Sequence, residues 1–512
     1  MALPSQLWQW LISGISNTRF LAGVASTVFL YTLARIVYNL HFHPLSKYPG
    51  PRLAAATDLW WAYASISGRY PWKIEAALQR YGDIVRVAPN ELVFITPQAA
   101  KDIYLAQEKN LELFVQIGYD ALDTGDNGIT GEPNPFRHRE IAKKLAPAFS
   151  TRNLKAKEAT ILKHVNLFVQ RMKETGASEH GAGMQAWTDR LGLDLAADMV
   201  YGHEMHQVRD MKDSIFLSAT LKLNLFLTMS QVTRKFRLHL LPYLTIPISV
   251  WYVMPQLISM HSQDFKKRME RRGNTEHLDY FETLMPYDKP VPADKKDIYH
   301  LENVGGQLLL ASWQPLTNQF YSLIFFALRE PTRYALLVKE LREAFSSDED
   351  IDMDSISNMR YLNACVQEGL RLHQDTVDGL PRLSPGALVD GNFIPKGVTC
   401  QISYFAAPRS PRYFADPLKF RPERWLAQDD ARFDVKYKGD NLKATKPFSQ
   451  GLRGCPGGAI AMSIIRLFIA KVTWEFDLEE VPGQDELDFD KDFKFMTFWE
   501  RPQYQVRFKS LR

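Results

Sequence analysis

A glycine-rich loop around a single cysteine constrains this chain more than any other segment does. The loop reads Pro447-Phe448-Ser449-Gln450-Gly451-Leu452-Arg453-Gly454-Cys455-Pro456-Gly457-Gly458. Its glycines carry no Cβ, so the backbone can approach a flat ligand closely. From Ile460 to Val472 apolar residues recur at helical spacing, which predicts a long helix. Cys455 thus precedes a helix N-terminus, where we expect the helix dipole to lower the pKa of its thiol.

Two upstream motifs carry paired charges. Glu368 and Arg371 form E-x-x-R within residues 361–373, a segment with helical periodicity. Residues three apart share a helix face and can pair, although such a pair by itself is common on protein surfaces. Arg424 follows in the segment Phe420-Arg421-Pro422-Glu423-Arg424-Trp425. The order and separation of these motifs and the cysteine loop are far more specific than any one of them.

Taken together, the three motifs resemble those of the cytochrome P450 superfamily, in the fungal endoplasmic-reticulum type that serves secondary metabolism. The resemblance extends over nearly all of residues 41–512. It implies a mainly α fold with small β-sheets, the cytochrome P450 fold, preceded by an N-terminal transmembrane anchor helix.

The resemblance also implies that Cys455 is the axial thiolate ligand of a haem b iron. A cysteinate pushes electron density onto iron and favours O–O bond cleavage. Arg382 and Arg453 would meet haem propionates, because a guanidinium group matches a carboxylate. Ala142 stands where the family usually has a basic residue, four places after His138. The other residues implied to bind this cofactor are Phe448, Gly457 and His138.

Glu368, Arg371 and Arg424 correspond to a buried ion triad of the family. Their implied role is structural, because the triad holds the segment that leads into the cysteine loop. Removing one partner of such a buried group strands a charge, at a cost of about 3–5 kcal/mol.

Residues 301–329 form a long apolar helical candidate that departs from the family pattern. The family helix over the distal haem face carries [AG]-G-x-[DE]-T-[TS], whereas this chain reads Ala311-Ser312-Trp313-Gln314-Pro315-Leu316. Gln314 replaces the acid and Pro315 replaces the alcohol, and Pro315 is expected to kink the helix. Thr317 comes later and points elsewhere, since one residue turns a helix by about 100°. The candidate catalytic residues are therefore Ala311, Ser312 and Gln314.

The implied activity is that of a monooxygenase or oxidase that uses O₂ and an NADPH-dependent reductase to oxidise an apolar small molecule, an intermediate of fungal secondary metabolism. Electrons would come from a separate NADPH–cytochrome P450 reductase, because the chain carries no dinucleotide fingerprint. The pair Gln314-Pro315 keeps a second interpretation open, a haem-thiolate enzyme that inserts no oxygen. Such an enzyme would catalyse oxidative coupling, desaturation, ring expansion, isomerisation or dehydration. A non-catalytic, membrane-bound haem sensor is a third interpretation.

Composition excludes several other classes of protein. The 512 residues are 46% hydrophobic and 23% charged, which is typical of a globular protein. A net charge of +4 without a long basic run argues against nucleic-acid binding. Three cysteines in so long a chain argue against a disulfide framework, and we expect Cys365 and Cys400 to be inert core residues. The protein is expected to be a monomer.

The N-terminus differs in character from the rest of the chain. Residues 20–40 carry one charge, Arg35, and reach the roughly 20 residues that a membrane span requires. Trp8 and Trp10 suit a membrane interface, and the positive residues after the span predict a cytosolic catalytic domain. A cleaved signal peptide and a helix lying on the membrane remain alternatives. We assign residues 1–40 to an anchor in the endoplasmic reticulum membrane, 41–52 to a proline-rich hinge and 53–512 to the catalytic domain.

Three further segments carry local predictions. Residues 266–296 are charged and contain three prolines, which predicts a surface loop. Residues 392–397 read as a hairpin with Pro395 and Gly397 in its turn. Residues 493–508 alternate in polarity and suggest a terminal hairpin beside the pocket. Candidates for the pocket lining are Phe114, Trp313, Val377 and Phe498.

Overall fold

The computed structural model describes residues 18–117, 126–238, 241, 248–275 and 277–511, and these are mainly helical. The first ten helices are α1 Thr18–Val37, α2 Arg52–Ala56, α3 Leu59–Ile66, α4 Tyr70–Tyr81, α5 Pro97–Tyr104, α6 Pro135–Leu145, α7 Thr151–Ala156, α8 Glu158–Thr175, α9 Met184–Tyr201 and α10 Gln207–Asp210. The later helices are α11 Ile215–Lys235, α12 Ile248–Glu270, α13 Tyr280–Leu284, α14 Lys295–Leu328, α15 Pro331–Ala344, α16 Met353–Ser357, α17 Arg360–Leu372, α18 Gly458–Glu475 and α19 Phe489–Asp492.

The strands are short and form small sheets at the side of the helical body. They are β1 Ile84–Ala88, β2 Glu91–Phe94, β3 Gln107–Glu108, β4 Leu111–Glu112, β5 Val115–Gln116, β6 Ala182–Gly183, β7 Arg382–Leu383, β8 Ala387–Val389, β9 Asn392–Ile394, β10 Thr399–Ile402, β11 Phe476–Glu480, β12 Lys494–Phe495, β13 Trp499–Glu500 and β14 Gln505–Ser510. The largest sheet has the order β1-β2-β10-β7-β5, and within it only β2 and β10 pair in parallel. A second sheet has the order β11-β14-β6, and three two-stranded pairs complete the set among the described residues.

Helix α14 is the central element of the fold. It has 34 residues, so at about 1.5 Å per residue it is about 50 Å long. The side chain of Asp294 caps its first turn by accepting a hydrogen bond from the Lys296 N–H. This cap starts the helix six residues before the predicted boundary. The helix continues through Pro315 without interruption.

Close packing surrounds α14 on two sides. On one side Thr317 and Trp313 press against α9 at Gly192, whose missing Cβ leaves the space that these side chains fill. On another side the ring centroids of Phe320 and Phe468, from α14 and α18, lie 4.3 Å apart. Leu323 fills a similar gap at Gly369 of α17. The helix is therefore fixed between α9, α17 and α18.

The N-terminal helix α1 is exposed along most of its described length. The segment Leu21–Phe42 is long and apolar enough to cross a membrane, and so is Ile215–Lys235, of which 56% is buried inside the protein. A π-helical turn follows α1, and Asn39 within it donates to the Ala56 carbonyl at 2.9 Å. Arg86 in turn donates to the Asn39 carbonyl at 2.8 Å, so the end of the apolar segment is docked on the body. Trp8 and Trp10 lie outside the described residues.

The segment assigned to a hinge packs closely on the largest sheet. Leu45 is fully buried, and the Tyr48 hydroxyl donates to the Phe393 carbonyl at 3.3 Å. The Arg86 N–H donates to the Pro49 carbonyl at 2.8 Å. Residues 45–49 therefore have fixed positions relative to the sheet.

Two local predictions are wrong. The charged run 266–296 is not simply a loop, since it holds the end of α12 and all of α13, and its Arg268 is fully buried and bonded to Asp279 at 2.6 Å. The predicted turn is present, since the Val398 N–H donates to the Pro395 carbonyl at 3.4 Å and Gly397 has φ +82°. The strands on its two sides do not form a hairpin, however, because β10 pairs with β2 and β7 and β9 pairs with β8 through a tight turn at Asp390-Gly391. In the terminal segment, β12 and β13 do form a hairpin, but β14 pairs with β11 and β6 instead.

The packing of α14 on α9 predicts that Gly192→Ala destabilises the protein. Alanine is normally better than glycine inside a helix by about 1 kcal/mol. Here the new Cβ would overlap the Thr317 hydroxyl and lie 3.2 Å from a Trp313 ring atom. The destabilisation from overpacking, about 1–3 kcal/mol, therefore outweighs the higher helix propensity of alanine. The midpoint of thermal unfolding, followed by circular dichroism, should shift to lower temperature. At Gly439 nothing lies within 4 Å of an added Cβ, so Gly439→Ala is the control, and an equal shift in both variants would contradict this account.

Candidate active site

The cysteine loop is closed by its own backbone. The Cys455 N–H donates to the Phe448 carbonyl at 2.8 Å, and the Gly454 N–H donates to the Gly451 carbonyl at 3.0 Å. Gly451 has φ +79°, and a Cβ there would overlap the carbonyl oxygen of Tyr104 at the end of α5. Only glycine satisfies both conditions. The loop is therefore anchored to α5 as well as to itself.

Two more glycines of the loop make close approaches. A Cβ on Gly458, the first residue of α18, would lie 3.2 Å from the Phe448 ring, so that ring packs directly on the start of the helix. A Cβ on Gly457 would lie 3.8 Å from the Cys455 Sγ. Gly457 thus lies directly beside the sulfur.

The Cys455 thiol has accessible surface, whereas Cys365 and Cys400 are buried. Burial of the sulfur within the protein raises the pKa of the Cys455 thiol, and a hydrogen bond from the Gly457 N–H lowers it only in part. The expectation of a lowered pKa is therefore wrong for the protein alone, because desolvation outweighs the helix terminus. A coordinated metal ion deprotonates a thiol outright, so the missing positive charge would come from the metal.

A cluster of basic side chains lies beside the loop. Arg453 Nε donates to Glu112 at 2.7 Å and its Nη1 donates to the Glu132 carbonyl at 2.6 Å. Arg382 is buried and donates to the Leu380 carbonyl at 2.9 Å, and among the described residues it forms no ion pair with a carboxylate. Burial and the charge of Arg453 lower the pKa of buried His138 to about 4, so its imidazole is neutral. The structure thus brings Arg382, Arg453 and His138 together.

The candidate catalytic positions on helix α14 differ in burial. Ala311 is exposed, and Ser312 and Pro315 are half-buried. Gln314 is 3% exposed, and its Nε2 has no hydrogen-bond partner in the part of the chain that the structure describes. The Thr317 hydroxyl donates to the Thr188 carbonyl of α9 at 3.3 Å, so it points away from the site, as expected.

The predicted pocket lining is only partly supported by these positions. Trp313 is fully buried against α9, and Phe114 and Val377 lie in the core with at most 2% exposure. Phe498 is half-buried and exchanges hydrogen bonds with the Asn224 side chain. Trp313, Phe114 and Val377 are therefore core residues.

Glu368 is the centre of a buried ionic network below the loop. Its carboxylate accepts two bonds from Arg371, both at 2.8 Å, one from Arg424 at 3.1 Å and one from the Trp425 indole at 2.8 Å. The Arg421 N–H adds a bond at 2.8 Å. Burial alone would raise the pKa of Glu368, but the charges of Arg371 and Arg424 lower it. Each oxygen of the Glu368 carboxylate therefore accepts at least two hydrogen bonds.

The same network fastens the segment that leads to the cysteine loop. Arg371 donates to the carbonyls of Pro408, Pro417 and Lys419 at 2.6–3.1 Å. Just after α17, Gln374 Nε2 donates to the Thr445 hydroxyl at 3.0 Å, two residues before the loop begins. The path from α17 to the loop is therefore hydrogen-bonded at several points.

Sequence reasoning missed Asp375 and Asn318. Asn318 of α14 donates to the Asp375 carboxyl at 2.6 Å, in the segment directly after α17. Burial raises the pKa of Asp375 to about 6, opposed by the Asn318 hydrogen bond and the charge of Arg501. An acidic residue directly after the E-x-x-R helix was the available signal, although its partner lies on a distant helix.

The arrangement fits a haem group. Cys455 is exposed just before α18, and α18 packs on α14, whose Ala311 is exposed. At the edge, the buried guanidinium of Arg382 has no carboxylate partner among the described residues, as expected of a group that receives a propionate. Gly457 lies directly beside the Sγ and has no side chain, so it presents bare backbone to a flat ring there.

Comparison with known proteins identifies the family. The sequence profile described as cytochrome P450 matches residues 58–508. This chain belongs to the cytochrome P450 family. It is 43% identical over 482 residues to cytochrome P450 monooxygenase TwmD of Talaromyces wortmannii, covering 94% of each chain. It is 35% identical over 500 residues to the monooxygenase poxC of Penicillium oxalicum, covering 96% of this chain and 95% of the relative. A third relative is the monooxygenase btcC of Colletotrichum orbiculare, at 32% identity over 486 residues, which covers 94% of this chain and 92% of that one.

Membership of the cytochrome P450 family confirms the coarse predictions. The fold is the cytochrome P450 fold, mainly helical with small sheets, and the protein is a haem-thiolate oxidoreductase related to fungal monooxygenases. Haem is the cofactor that the family implies. The N-terminal apolar helix is consistent with a membrane anchor.

The network around Glu368 predicts a large loss of stability in Glu368→Gln. The substitution leaves Arg371 buried without a counter-charge and leaves Arg424 with Asp440 alone, so we expect a loss of about 3–5 kcal/mol in unfolding free energy together with poor retention of haem. Denaturant unfolding and the reduced carbon-monoxide spectrum measure the two effects. The control is Glu343→Gln, since that carboxylate is exposed and pairs loosely with Lys339 at 3.9 Å.

The sign of the pH dependence follows from the lowered pKa of Glu368. The contribution of the Glu368 charge to the free energy of unfolding is complete above the usual carboxyl pKa of about 4.3. It is lost as the pH falls through the lower pKa that Glu368 has in the folded protein. The stability difference between wild type and Glu368→Gln should therefore shrink as the medium is acidified below pH 4.3. A difference that stays constant throughout would mean that the charge of Glu368 does not stabilise the fold.

Proposed function

We propose that Cys455 is the axial thiolate ligand of a haem b iron, in an oxygenase that oxidises an apolar small molecule of fungal secondary metabolism. The observation that carries this proposal is the exposed Cys455 on a loop closed by its own backbone hydrogen bonds. The relatives named above are all fungal monooxygenases, which supports an oxygenase of fungal origin. Haem bound through a thiolate supplies reductive activation of O₂.

The side chains around the loop hold and orient this cofactor. Arg453 and Arg382 bind the propionates, and neutral His138 offers a ring N–H to one of them. Phe448 and Gly457 shape the loop next to the sulfur. Glu368, Arg371 and Arg424 act at a distance, because they fix the chain that carries the loop.

The α14 face acts on the substrate and on the oxygen side of the site. Ala311 leaves room for small molecules, and the Ser312 hydroxyl can donate or accept a hydrogen bond there. Pro315 has no N–H, so the Ala311 carbonyl has no i+4 donor and remains free to accept a bond from water or substrate. Gln314 supplies an amide where the family pattern has an acid.

Membrane attachment and electron supply complete the proposal. Residues 1–40 anchor the protein in the endoplasmic reticulum membrane and 41–52 connect it to the catalytic domain, which faces the cytosol and works as a monomer. The exposed apolar helix Leu21–Phe42 supports the anchor, and Arg35, Lys47 and Arg52 near its end support this orientation. NADPH–cytochrome P450 reductase delivers the electrons.

A second candidate function is haem-thiolate catalysis without oxygen insertion. The sequence of α14 supports this candidate. Pro315 has no hydroxyl, and Thr317, the nearest alcohol after it, is bonded to α9. Coupling, desaturation or rearrangement of the substrate makes different demands on proton delivery than insertion does. Products formed without NADPH would point to an isomerase or dehydratase.

The proposal predicts that Cys455→Ser abolishes the red-shifted Soret band of the reduced carbon-monoxide complex. A serine oxygen cannot supply the electron density of a thiolate. The control is Cys400→Ala, because Cys400 is buried in β10 and, although its register partner in β7 is Arg382, its thiol is not one of the candidate haem contacts. A band that survives in Cys455→Ser would overturn the ligand assignment.

The two candidate functions are separated by isotope-labelled O₂. Microsomes that contain the protein and the reductase are supplied with NADPH and candidate metabolites, and the products are analysed by mass spectrometry. Label in the product indicates oxygen insertion, whereas oxidised product without label indicates coupling, desaturation or rearrangement. The double variant Gln314→Asp with Pro315→Thr restores the family pattern, so we expect it to change the ratio of product to hydrogen peroxide. An unchanged ratio would show that protons reach the site by a route that does not use these two positions.

A further inference from the structure

The segment directly after α17 is bound to α14 by polar contacts. Gln319 Nε2 donates to the His373 carbonyl at 2.7 Å, and Ser322 is hydrogen-bonded to the His373 imidazole. Asp375 follows His373 by two residues, and its Oδ1 accepts a hydrogen bond from Asn318 Nδ2 at 2.6 Å. The carboxyl of Asp375 is therefore held against the helix that carries the candidate catalytic residues.

Asp375 and Cys455 are close enough to interact electrostatically. The charge of Asp375 acts through space on the Cys455 thiol and raises its pKa. Asp375 is half-buried and Cys455 is exposed, so both residues have surface that water or a ligand can reach. Through Asn318, Asp375 thus joins α14 to the surroundings of the cysteine loop.

Asn318 is suited to hold this carboxyl in either protonation state. The residue is fully buried, and its Oδ1 has no hydrogen-bond partner in the described part of the chain. An asparagine amide can donate an N–H to a carboxylate or, when turned over, accept the O–H of a neutral carboxyl group. The 2.6 Å separation is short enough for an O–H···O bond. Asp375 therefore keeps Asn318 as a hydrogen-bond partner whether its carboxyl group is charged or neutral.

None of the α14 residues at the candidate site can replace Asp375 as an acid. Gln314, Asn318 and Ser312 do not ionise near neutral pH, and the Gln314 amide accepts a bond from Asn318 at 3.5 Å. The pKa of Asp375, raised by burial to about 6, lets both of its states be populated near neutrality. The charge of Arg501 acts on Asp375, and Asp375 acts on the Cys455 thiol. His373, two residues before Asp375, has its pKa lowered by burial to about 3, so it is neutral.

We propose that Asp375, held by Asn318, is the proton-exchanging residue of the active-site cavity. This inference rests on the proposed function. In the step, the O–H bond of neutral Asp375 breaks, and the proton passes to the oxygen of a water or oxygen-containing ligand in the cavity. The electron pair remains on the carboxylate, which the Asn318 N–H stabilises, and solvent returns the proton afterwards. The acid thus comes from the segment after α17, whereas the family pattern places it on α14.

The test compares Asp375→Asn with Asp378→Asn, which removes a carboxylate three residues away. Both are made in the full-length haem-loaded protein, and an intact reduced carbon-monoxide band shows that each has folded. The first readout is product formed per NADPH between pH 5 and pH 8. We expect Asp375→Asn to lower it about tenfold or more and to abolish the inflection near pH 6, while Asp378→Asn retains both. Unchanged yield and inflection in Asp375→Asn, or equal losses in both variants, would overturn the proposal.

The second readout does not depend on turnover. The infrared carbonyl stretch of protonated carboxyl groups is followed as the haem-loaded wild type and Asp375→Asn are titrated. One titration step near pH 6 should be present in the wild type and missing in the variant, and its presence in both would overturn the inference. If the wild type forms no product with NADPH, the proposed function fails, and this titration still decides whether Asp375 exchanges protons.

A further variant keeps the proposal testable if Asp375→Asn does not fold. Asn318→Asp places a second carboxyl group beside Asp375, and like charges disfavour ionisation. The inflection of the wild type near pH 6 should then move to higher pH in Asn318→Asp. An inflection that stays in place would contradict the assignment to Asp375.

Discussion

The bonding of one buried carboxylate supports the rest of the site. Glu368 accepts bonds from two guanidinium groups, an indole and a backbone N–H, all in the interior. Through Arg371 and Arg424 these bonds fix the long irregular segment between β10 and the cysteine loop, which has little regular structure of its own. A charge buried so completely is tolerable only when all of its partners are present. We therefore regard this network as the condition under which the loop can hold Cys455 in one place.

The site itself is formed between two rigid bodies. Helix α14 is fixed by its packing on α9, α17 and α18, and the loop is fixed by its own hydrogen bonds and by the close approach of Gly451 to α5. The basic cluster of Arg382 and Arg453 lies at one edge, and Asp375 borders the interior. The proposal above explains how the chain can lack the acid and the alcohol of the family's central helix. The titratable group comes instead from the segment after α17, where Asn318 holds Asp375.

Much of this could be predicted from sequence, because the motifs are local. The cysteine loop, the E-x-x-R helix and the long apolar helix were recognised from short patterns, and the family and fold they implied are confirmed. The thiol pKa was predicted wrongly, since desolvation depends on the whole surrounding structure. The burial of Arg268 was missed because its partner Asp279 becomes visible only after folding. Asp375 was missed for the same reason, as Asn318 lies on a distant helix. Residue types reveal chemistry, but the environment that tunes it comes from contacts far apart in the chain.

The central claim is the bond between Cys455 and iron, and X-ray absorption at the iron edge of the ferric haem-loaded protein tests it most directly. The account predicts one sulfur and otherwise nitrogen or oxygen neighbours around the iron of the wild type and of Cys400→Ala. A first coordination shell made only of nitrogen and oxygen in the wild type would contradict it.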